Sequence, residues 1–262
     1  MTPGFPESQA REILERIEQA IAIADGVLKG YTPGAIEAQR KAGGDPVTEA
    51  DLAVDAVLRR TLLRDGEGWL SEETADRPDR LRARRVWVVD PIDGTKAFVR
   101  EYPMFSTQIA LMQRGRLIVG VSSAPVYGEI AYGEIGVGAW LNERPIRVSN
   151  VNQIEDAALS TGNLKTLATG PQWPAFGQLI GRLSRIRGYG DFLHYHLLAS
   201  GKIDAVVESD VNILDVGACA VIVEAAGGRF TDLAGQPLSI ASGSVLATNG
   251  RLHEAVLGAI RA

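Results

Sequence analysis

Residues 88–98 read VVDPIDGTKAF, in which an apolar run is followed by two aspartates and a glycine. The apolar run that leads into it predicts a buried strand ending at Asp90. Pro91 fixes the backbone at a corner, and Asp93 stands on the far side of that corner. Gly94 permits a close approach or an unusual φ angle. The stretch therefore predicts a strand that ends in a turn carrying two carboxylates.

Composition narrows the class of protein. The chain has 262 residues, of which 45% are hydrophobic and 23% charged, which is enough apolar material for a sizeable core. A net charge of -5 indicates no basic face for nucleic acid. The polar N-terminus does not resemble a signal peptide, and no apolar stretch reaches the roughly 20 residues that span a membrane. We expect a cytoplasmic protein whose partners include neither nucleic-acid polymers nor membranes.

Cys219 is the single cysteine of the chain, so an internal disulfide is excluded. It lies in the apolar run ACAVIVEAA, which indicates a buried structural thiol, because a free cysteine packs as a small hydrophobic residue. A reducing compartment fits this composition.

Two amphipathic helices are predicted before the quoted stretch. The first begins near Pro6 and Ser8 and stops at Gly30, and the second begins where Thr48 and Asp51 resemble an N-cap with an acidic third position. Their apolar faces comprise Ile13, Ile17, Ile21, Ala24 and Leu28 in the first and Leu52, Val54, Val57, Leu58 and Leu62 in the second. The segment 73–84 is polar and rich in arginine, which predicts a solvated loop.

The residue pattern of the sequence changes twice after the second helix. Residues 86–148 hold β-rich runs separated by Gly and Pro, with hairpin turns at 114–115 and 127–128, which predicts a mostly antiparallel sheet. After residue 150 strand patterns mix with helices over 174–186, 191–201 and 215–228. We therefore expect an α+β half over residues 1–149 and an α/β half over residues 150–262.

Acidic residues recur where the backbone is predicted to turn or a helix to begin. These residues are Asp51, Glu72, Glu73, Asp90, Asp93 and Asp215. The helix macrodipole alone could account for Asp51 and Asp215, and adjacent glutamates in a loop are commonly only solvated. Together, however, their oxygens suit Mg²⁺, and two ions sharing Asp90 would lie roughly 3.5–4 Å apart. Three histidines in the whole chain argue against zinc.

The motif set resembles the inositol monophosphatase family of Mg²⁺-dependent, lithium-sensitive phosphatases. The resemblance rests on PVTEAD, on EE followed by DPIDGT, and on a distal aspartate that opens a helix ending EAAGG. It covers nearly the whole chain, and the combination is highly specific although no single part is. It implies a layered α-β-α-β-α sandwich, of α+β and α/β class, like inositol monophosphatases and fructose-1,6-bisphosphatases. It also implies two or three Mg²⁺ ions at the junction of the halves, and commonly a homodimer.

The resemblance also implies a role for each site residue. Metal ligands would be Glu72, Asp90, the carbonyl of Ile92, Asp93 and Asp215. Asp51 and Thr95, with Glu72 beside them, would orient and activate the attacking water. The amides of Gly94 and Thr95 would bind the phosphate at a helix start, and Asp215 would hold a water near the leaving group.

The chain departs from the family pattern at the distal aspartate. The family usually shows Trp-Asp-x-x-Ala-Gly there, whereas this chain has Leu214 for the tryptophan and Cys219 for the glycine. Metal binding should survive because the aspartate is retained. The packing behind the site, and the substrate wall, are expected to differ.

Substrate preference is indicated by Lys96 and by RGYGD at 187–191. Both resemble the histidinol-phosphate phosphatases of the superfamily, and the lysine also resembles the 3′-phosphoadenosine nucleotidases. Arg187, Asp191 and Glu208 would line the leaving-group pocket, whose acidity suits a cationic amine and imidazole. Alternatively, Asp191 only caps the following helix. The histidines at 194 and 196 are expected to be ordinary helix residues, because positions two apart share no helical face.

The leading hypothesis is thus an enzyme that hydrolyses a small phosphorylated metabolite, L-histidinol phosphate. The alternatives with the same chemistry are inositol 1-phosphate and 3′-phosphoadenosine 5′-phosphate. A more distant alternative is a metal-binding protein of this fold without catalysis, against which the retained EE, DPIDGT and distal aspartate argue.

Overall fold

The structure is a computed structural model that describes residues 7–35, 39–40 and 46–261. Helix α1 spans Glu7–Leu28, strands β1 (Gln39–Arg40) and β2 (Pro46–Val47) pair antiparallel, and helix α2 spans Glu49–Leu62. Both predicted helices are present, although the expected start at Pro6 lies outside the described residues. Leu52, assigned to the apolar face of α2, is 52% exposed, so that part of the prediction was wrong.

A seven-stranded sheet follows α2. Its strands lie in chain order: β3 (Gly68–Ser71), β4 (Arg85–Asp93), β5 (Ser106–Gln113), β6 (Arg116–Ala124), β7 (Glu129–Glu134), β8 (Gly138–Leu141) and β9 (Arg144–Ile146). β3 and β4 are parallel, and every later pair is antiparallel. The mostly antiparallel sheet and its two hairpins are confirmed, whereas β3 was missed because four residues carry too little pattern. Helix α3 (Thr95–Val99) leaves β4, and a 3-10 helix (Pro78–Arg82) lies within the exposed arginine-rich loop.

A five-stranded mixed sheet forms the second half of the chain. Its strands are β10 (Ala158–Thr161), β11 (Arg185–Arg187), β12 (Ala205–Ser209), β13 (Arg229–Thr231) and β14 (Ser244–Thr248), in the order β11-β10-β12-β14-β13. The helices are α4 (Lys165–Thr169), α5 (Trp173–Ile180), α6 (Asp191–Ala199), α7 (Ile213–Ala225) and α8 (His253–Arg261), and a short 3-10 helix covers Ile154–Asp156.

Several helix boundaries differ from the predictions. The helix expected over 174–186 ends at Ile180, with Gly181 as its C-cap, and the last two residues of that segment lie in β11. The helix expected to open at Asp215 begins instead at Ile213, because Asn212 takes the N-cap position. The second difference places Asp215 inside the first turn, at the third helical position.

The layers stack as α-β-α-β-α, as expected. α1 and α2 bury Ile17 and Leu58 against one face of the seven-stranded sheet, together with Trp87 of β4. α7 crosses the other face of that sheet, and α6 packs beside it. At Gly120 of β6 a Cβ atom would lie 2.4 Å from the carbonyl oxygen of Ala218, so a glycine is needed for this close approach. α5 and α8 close the far side of the five-stranded sheet.

The described helices include none that is both long and apolar enough to cross a membrane.

Candidate active site

The backbone does not turn after Asp90 as predicted, because the strand continues through a bulge to Asp93. β4 continues past Asp90, which pairs with Gln108, to Asp93, which pairs with Ser106. Three residue steps on β4 thus face two steps on β5, which is the signature of a β-bulge. Pro91 fits because a bulge is a position where a strand tolerates proline. The bulge carries both carboxylates to the end of the strand without breaking its pairing.

Gly94 ends the bulged strand and caps α3. Its φ angle is +92°, in the left-handed region. A Cβ atom there would lie 2.3 Å from the carbonyl oxygen of Met104. Glycine is therefore required on two grounds, conformation and space. The turn places Thr95 at the first position of α3, as predicted.

Three acids from three separate elements meet at this point. Glu72 follows β3, Asp90 lies in the bulge of β4, and Asp215 lies in the first turn of α7. One carboxylate oxygen from each lies within 4.8 Å of the others. Asp215 is held there by a capping box, since its Oδ2 accepts the Asn212 N–H at 2.8 Å. This is a donor set of oxygens alone, in a grouping that could hold a metal ion.

The electrostatics of the cluster favour a cation. Burial, followed by the charges of Glu72 and Asp93, raises the pKa of Asp90 well above its ordinary value. Burial also raises the pKa of Asp215 to about 7, with Glu72 and Glu208 adding to the shift. A raised pKa means that the ionised carboxylates repel and lack water. A divalent ion would supply the missing positive charge, so the residues fit a metal.

Asp51 and Thr95 form a second unit beside this cluster. The hydroxyl of Thr95 lies 3.1 Å from Asp51 Oδ1 and 3.1 Å from the carbonyl oxygen of Ile92. The other oxygen of Asp51 accepts the backbone N–H of Thr48 at 2.7 Å, which confirms the predicted capping box. Asp51 therefore serves both as a helix cap and as a partner of Thr95.

These groups open onto a cleft of about 340 Å³. Its walls comprise Glu72, Asp90, Ile92, Asp93, Gly94, Thr95, Lys96, Ala97, Tyr102, Asp191, Asp210, Asn212 and Asp215. The structure thus brings together in one cleft every predicted metal ligand and both predicted phosphate-binding positions. Asp51 lies just behind it.

Of the three residues predicted to line the leaving-group pocket, only Asp191 is among the residues that line this cleft. The Arg187 side chain is exposed and donates to the carbonyl oxygen of Ile186. Glu208 lies beneath the cleft, where its carboxylate accepts the Tyr195 hydroxyl at 2.8 Å. Burial and the nearby charge of Glu208 raise the pKa of Asp191 to about 6.

The alternative of Asp191 as a helix cap is wrong. Gly190 is the N-cap of α6, no side-chain bond caps that helix, and Asp191 is its first residue. Asp191 also has a φ angle of +45°, which is strained for a residue with a side chain. Such strain is characteristic of functional positions.

Sequence reasoning missed several residues of this region. Asn212 could have been found, since Asn followed three residues later by Asp is a capping-box signature. The histidines taken as ordinary are both buried polar groups of α6: His194 Nε2 lies 3.2 Å from Glu208 Oε2 without hydrogen-bond geometry, and His196 contacts Ser122 and Glu129. Their neighbours come from distant segments, so no local pattern announces them.

Known proteins similar in sequence to this chain include members of one family. The model of the inositol monophosphatase family matches residues 9–262. A histidinol-phosphatase of Mycobacterium tuberculosis is 41% identical over 224 residues, covering 83% of this chain and 85% of the relative. An inositol-1-monophosphatase of Synechocystis is 30% identical over 268 residues, covering 99% of this chain and 92% of the relative.

Solved structures show the same fold. The extragenic suppressor protein suhB of Bartonella henselae superposes with a TM-score of 0.85 at 27% identity, over 95% of this chain and 98% of that one. An inositol monophosphatase from Anabaena gives a TM-score of 0.79 at 29% identity, over 97% of this chain and 96% of that one. The family model and the solved structures match nearly the whole chain, and the cluster of acidic residues is consistent with them. This chain therefore belongs to the inositol monophosphatase family and is a phosphoric monoester hydrolase.

Proposed function

We propose that the protein is a Mg²⁺-dependent phosphatase whose substrate is L-histidinol phosphate. The observation that carries the proposal is the position of Asp191, which adds a carboxylate to the wall of the cleft that holds the acidic cluster. The 41% identical relative named as a histidinol-phosphatase supports the same substrate.

The metal assignment follows from the donor set. Glu72, Asp90, Asp93 and Asp215 offer only carboxylate oxygens, with the Ile92 carbonyl beside them. Such hard ligands favour Mg²⁺ over zinc. When bound, Mg²⁺ would supply an acidified water and would balance the negative charge of the phosphate.

Residues of the chain orient the water and bind the phosphate. If Thr95 donates its hydroxyl proton to Asp51, its oxygen is left as an acceptor that holds a water by one O–H. The N–H groups of Gly94 and Thr95 lie at the start of α3, where an anion is favoured. Water orientation and phosphate binding are thereby assigned to adjacent positions.

The leaving group is selected by charge. Asp191 and Asp210 both line the cleft, which makes that wall acidic. An alkoxide leaving group that carries an ammonium or imidazolium would pair with Asp191, whereas the hydroxyls of inositol would gain less from it.

We expect Asp191→Asn to separate the two substrates. Loss of one charge-assisted contact of about 1.5–3 kcal/mol should lower kcat/KM for L-histidinol phosphate by roughly 10- to 100-fold. Activity on inositol 1-phosphate should change less than about threefold, since it forms no ion pair there. Steady-state phosphate release measures both.

Asp210→Asn is the matched control for this variant. It removes the same charge from the same cleft, but its carboxylate is already engaged by Thr166 and Ser209. Its effect on histidinol phosphate should therefore be much smaller. An equal loss on both substrates in Asp191→Asn would contradict the assignment.

The second candidate is the same chemistry on inositol 1-phosphate. The Synechocystis relative named as an inositol-1-monophosphatase favours it, since that match covers 99% of this chain. A panel of L-histidinol phosphate, inositol 1-phosphate, 3′-phosphoadenosine 5′-phosphate and fructose 1,6-bisphosphate, with and without Mg²⁺ and Li⁺, decides between them. Preference for another ester would overturn the histidinol-phosphate assignment. Release of phosphate from none of the four esters would favour a metal-binding protein of this fold without catalysis. Homodimeric assembly and a cytoplasmic location stay predictions.

We expect the metal-free protein to lose stability as pH rises from about 5 to about 8. The pKa of Asp215 is raised to about 7 and that of Asp191 to about 6. The protonated forms of these two residues therefore stabilise the fold fully below the unfolded pKa near 4. That stabilisation is lost as the pH rises past the pKa values of the folded protein. Mg²⁺ should restore it, so the gain in Tm on adding Mg²⁺ should be larger at pH 8 than at pH 5.

Thermal unfolding in chelator and in Mg²⁺ at both pH values tests this linkage. Asp215→Asn is the control, because it removes the carboxylate with the higher pKa of the two and should flatten the pH dependence. A Tm that is insensitive to chelator at both pH values would count against the metal site.

A further inference from the structure

A layer of buried polar side chains lies behind Asp93, on the side away from the cleft. It runs through Ser106, Gln108, Ser122 and His196 to Glu129 at the surface. The first four are at most 2% exposed. Burying polar groups costs free energy unless each is hydrogen-bonded, so this layer calls for an explanation.

The direction of each hydrogen bond can be assigned from the outer end. Burial lowers the pKa of His196, which favours the neutral ring. Its Nδ1 lies 2.9 Å from the Glu129 carboxylate, which can only accept, so Nδ1 carries the proton. Its Nε2, 2.9 Å from the Ser122 hydroxyl, is then the acceptor.

The Ser122 hydroxyl consequently donates its proton to His196, so its oxygen can only accept a hydrogen bond from another group. The amide nitrogen of Gln108 supplies that bond at 3.0 Å. Its second N–H donates to the hydroxyl oxygen of Ser106 at 2.7 Å. Both donors of the Gln108 amide are thereby used.

Ser106 in turn has one proton left to give, and it lies 3.2 Å from Asp93 Oδ2. Exchanging the positions of the oxygen and the nitrogen of the Gln108 amide is unfavourable. The amide oxygen would then accept the Ser106 proton, and the hydrogen bond from Ser106 to Asp93 would be lost. The thiol of Cys219 lies 3.5 Å from that amide oxygen and donates to it, which fixes the same orientation. Cys219, one of the two residues that depart from the family pattern, thus belongs to the chain of hydrogen bonds.

We infer that Gln108 is a positioning residue for Asp93, acting through the Ser106 hydroxyl to hold one carboxylate oxygen in place for metal binding. The bulge of β4 sets this up, because it pairs Asp93 directly with Ser106 and Asp90 with Gln108. The inference rests on the proposed metal role of Asp93. Outer hydrogen-bond partners of metal ligands orient them, and their loss commonly costs 10- to 100-fold in metal affinity or activity.

The test is Gln108→Met, which keeps the shape of the side chain and removes both donors. Mg²⁺ binding is measured by calorimetric titration of the chelator-treated protein, and Tm is recorded without metal. We expect the Kd for Mg²⁺ to rise roughly 10- to 100-fold. Ser106→Ala, a smaller change that removes the final donor, should raise it by a similar factor.

Ser123→Ala is the matched control. Ser123 is the neighbour of Ser122 on β6, is also 0% exposed, and its hydroxyl faces Asp25 instead of Gln108. It should lower Tm without changing the Kd for Mg²⁺, as any purely structural buried hydroxyl would.

The outcomes are distinct. If the unaltered protein binds no Mg²⁺, the proposed function fails. If it binds Mg²⁺ and Gln108→Met lowers Tm while keeping the same Kd, the layer is structural and the inference is overturned. If Gln108→Met does not fold, an unchanged Kd in Ser106→Ala overturns the inference equally.

Discussion

Asp90→Asn is expected to lower Mg²⁺-dependent phosphatase activity by at least about a thousandfold. Asp90 lies at the centre of the acidic group, within reach of both Glu72 and Asp215. Removing its charge takes away several kcal/mol of cation binding and transition-state stabilisation, and each 1.36 kcal/mol is about a factor of ten in rate. Steady-state phosphate release over a range of Mg²⁺ concentrations measures the loss.

The same substitution should make the metal-free protein more stable. Burial and the neighbouring carboxylates raise the pKa of Asp90, so its ionised form opposes folding. An asparagine keeps the size and the acceptor for the Ile92 N–H, which lies 3.0 Å from Asp90 Oδ1. Loss of activity together with a higher Tm in chelator would show that the carboxylate serves the metal at the expense of stability.

Asp65→Asn is the control for this pair of measurements. It removes the charge of an exposed aspartate outside the cluster, so neither activity nor Tm should change appreciably. Full Mg²⁺-dependent turnover by Asp90→Asn would contradict the proposed site, and a fall in Tm in chelator would contradict the electrostatic account of it.

Much of the site could be read from local sequence, because its acids stand at positions that short motifs mark. The capping box of Thr48 and Asp51 is one such motif, and the glycine that opens α3 is another. The segment 90–93 at the end of β4 was misread as a turn, since proline, aspartate and glycine signal a turn and a bulge alike. Only the register against β5 separates the two, and register depends on pairing with residues further along the chain.

The polar layer behind the site is the part that sequence could not supply. Gln108 and Ser122 lie on adjacent strands, whereas His196 comes from α6 and Cys219 from α7. A polar residue in a strand predicts only a solvent-facing position by local rules. Its burial becomes visible once α6 and α7 are known to cover that face of the sheet.

Thr95→Val is expected to lower kcat by roughly 100-fold or more while leaving the Kd for Mg²⁺ nearly unchanged. Valine keeps the branched shape of threonine at the start of α3 but removes the hydroxyl that contacts Asp51 and Ile92. Without that oxygen the attacking water loses its acceptor, and positioned proton acceptors contribute about 10²- to 10⁴-fold. The metal ligands keep all their charges, so cation affinity should persist.

Thr95→Ser is the matched control, because it restores the hydroxyl and removes only a methyl group. It should recover most of kcat, and the pair separates a chemical role of the oxygen from a packing role of the side chain. Kinetics with calorimetric Mg²⁺ titration of both variants distinguish this result from that of Asp90→Asn, in which metal binding itself is lost. A fully active Thr95→Val would show that the water is held elsewhere. An inactive Thr95→Ser would place the requirement in the methyl group, and the Asp51–Thr95 unit would then be a structural cap alone.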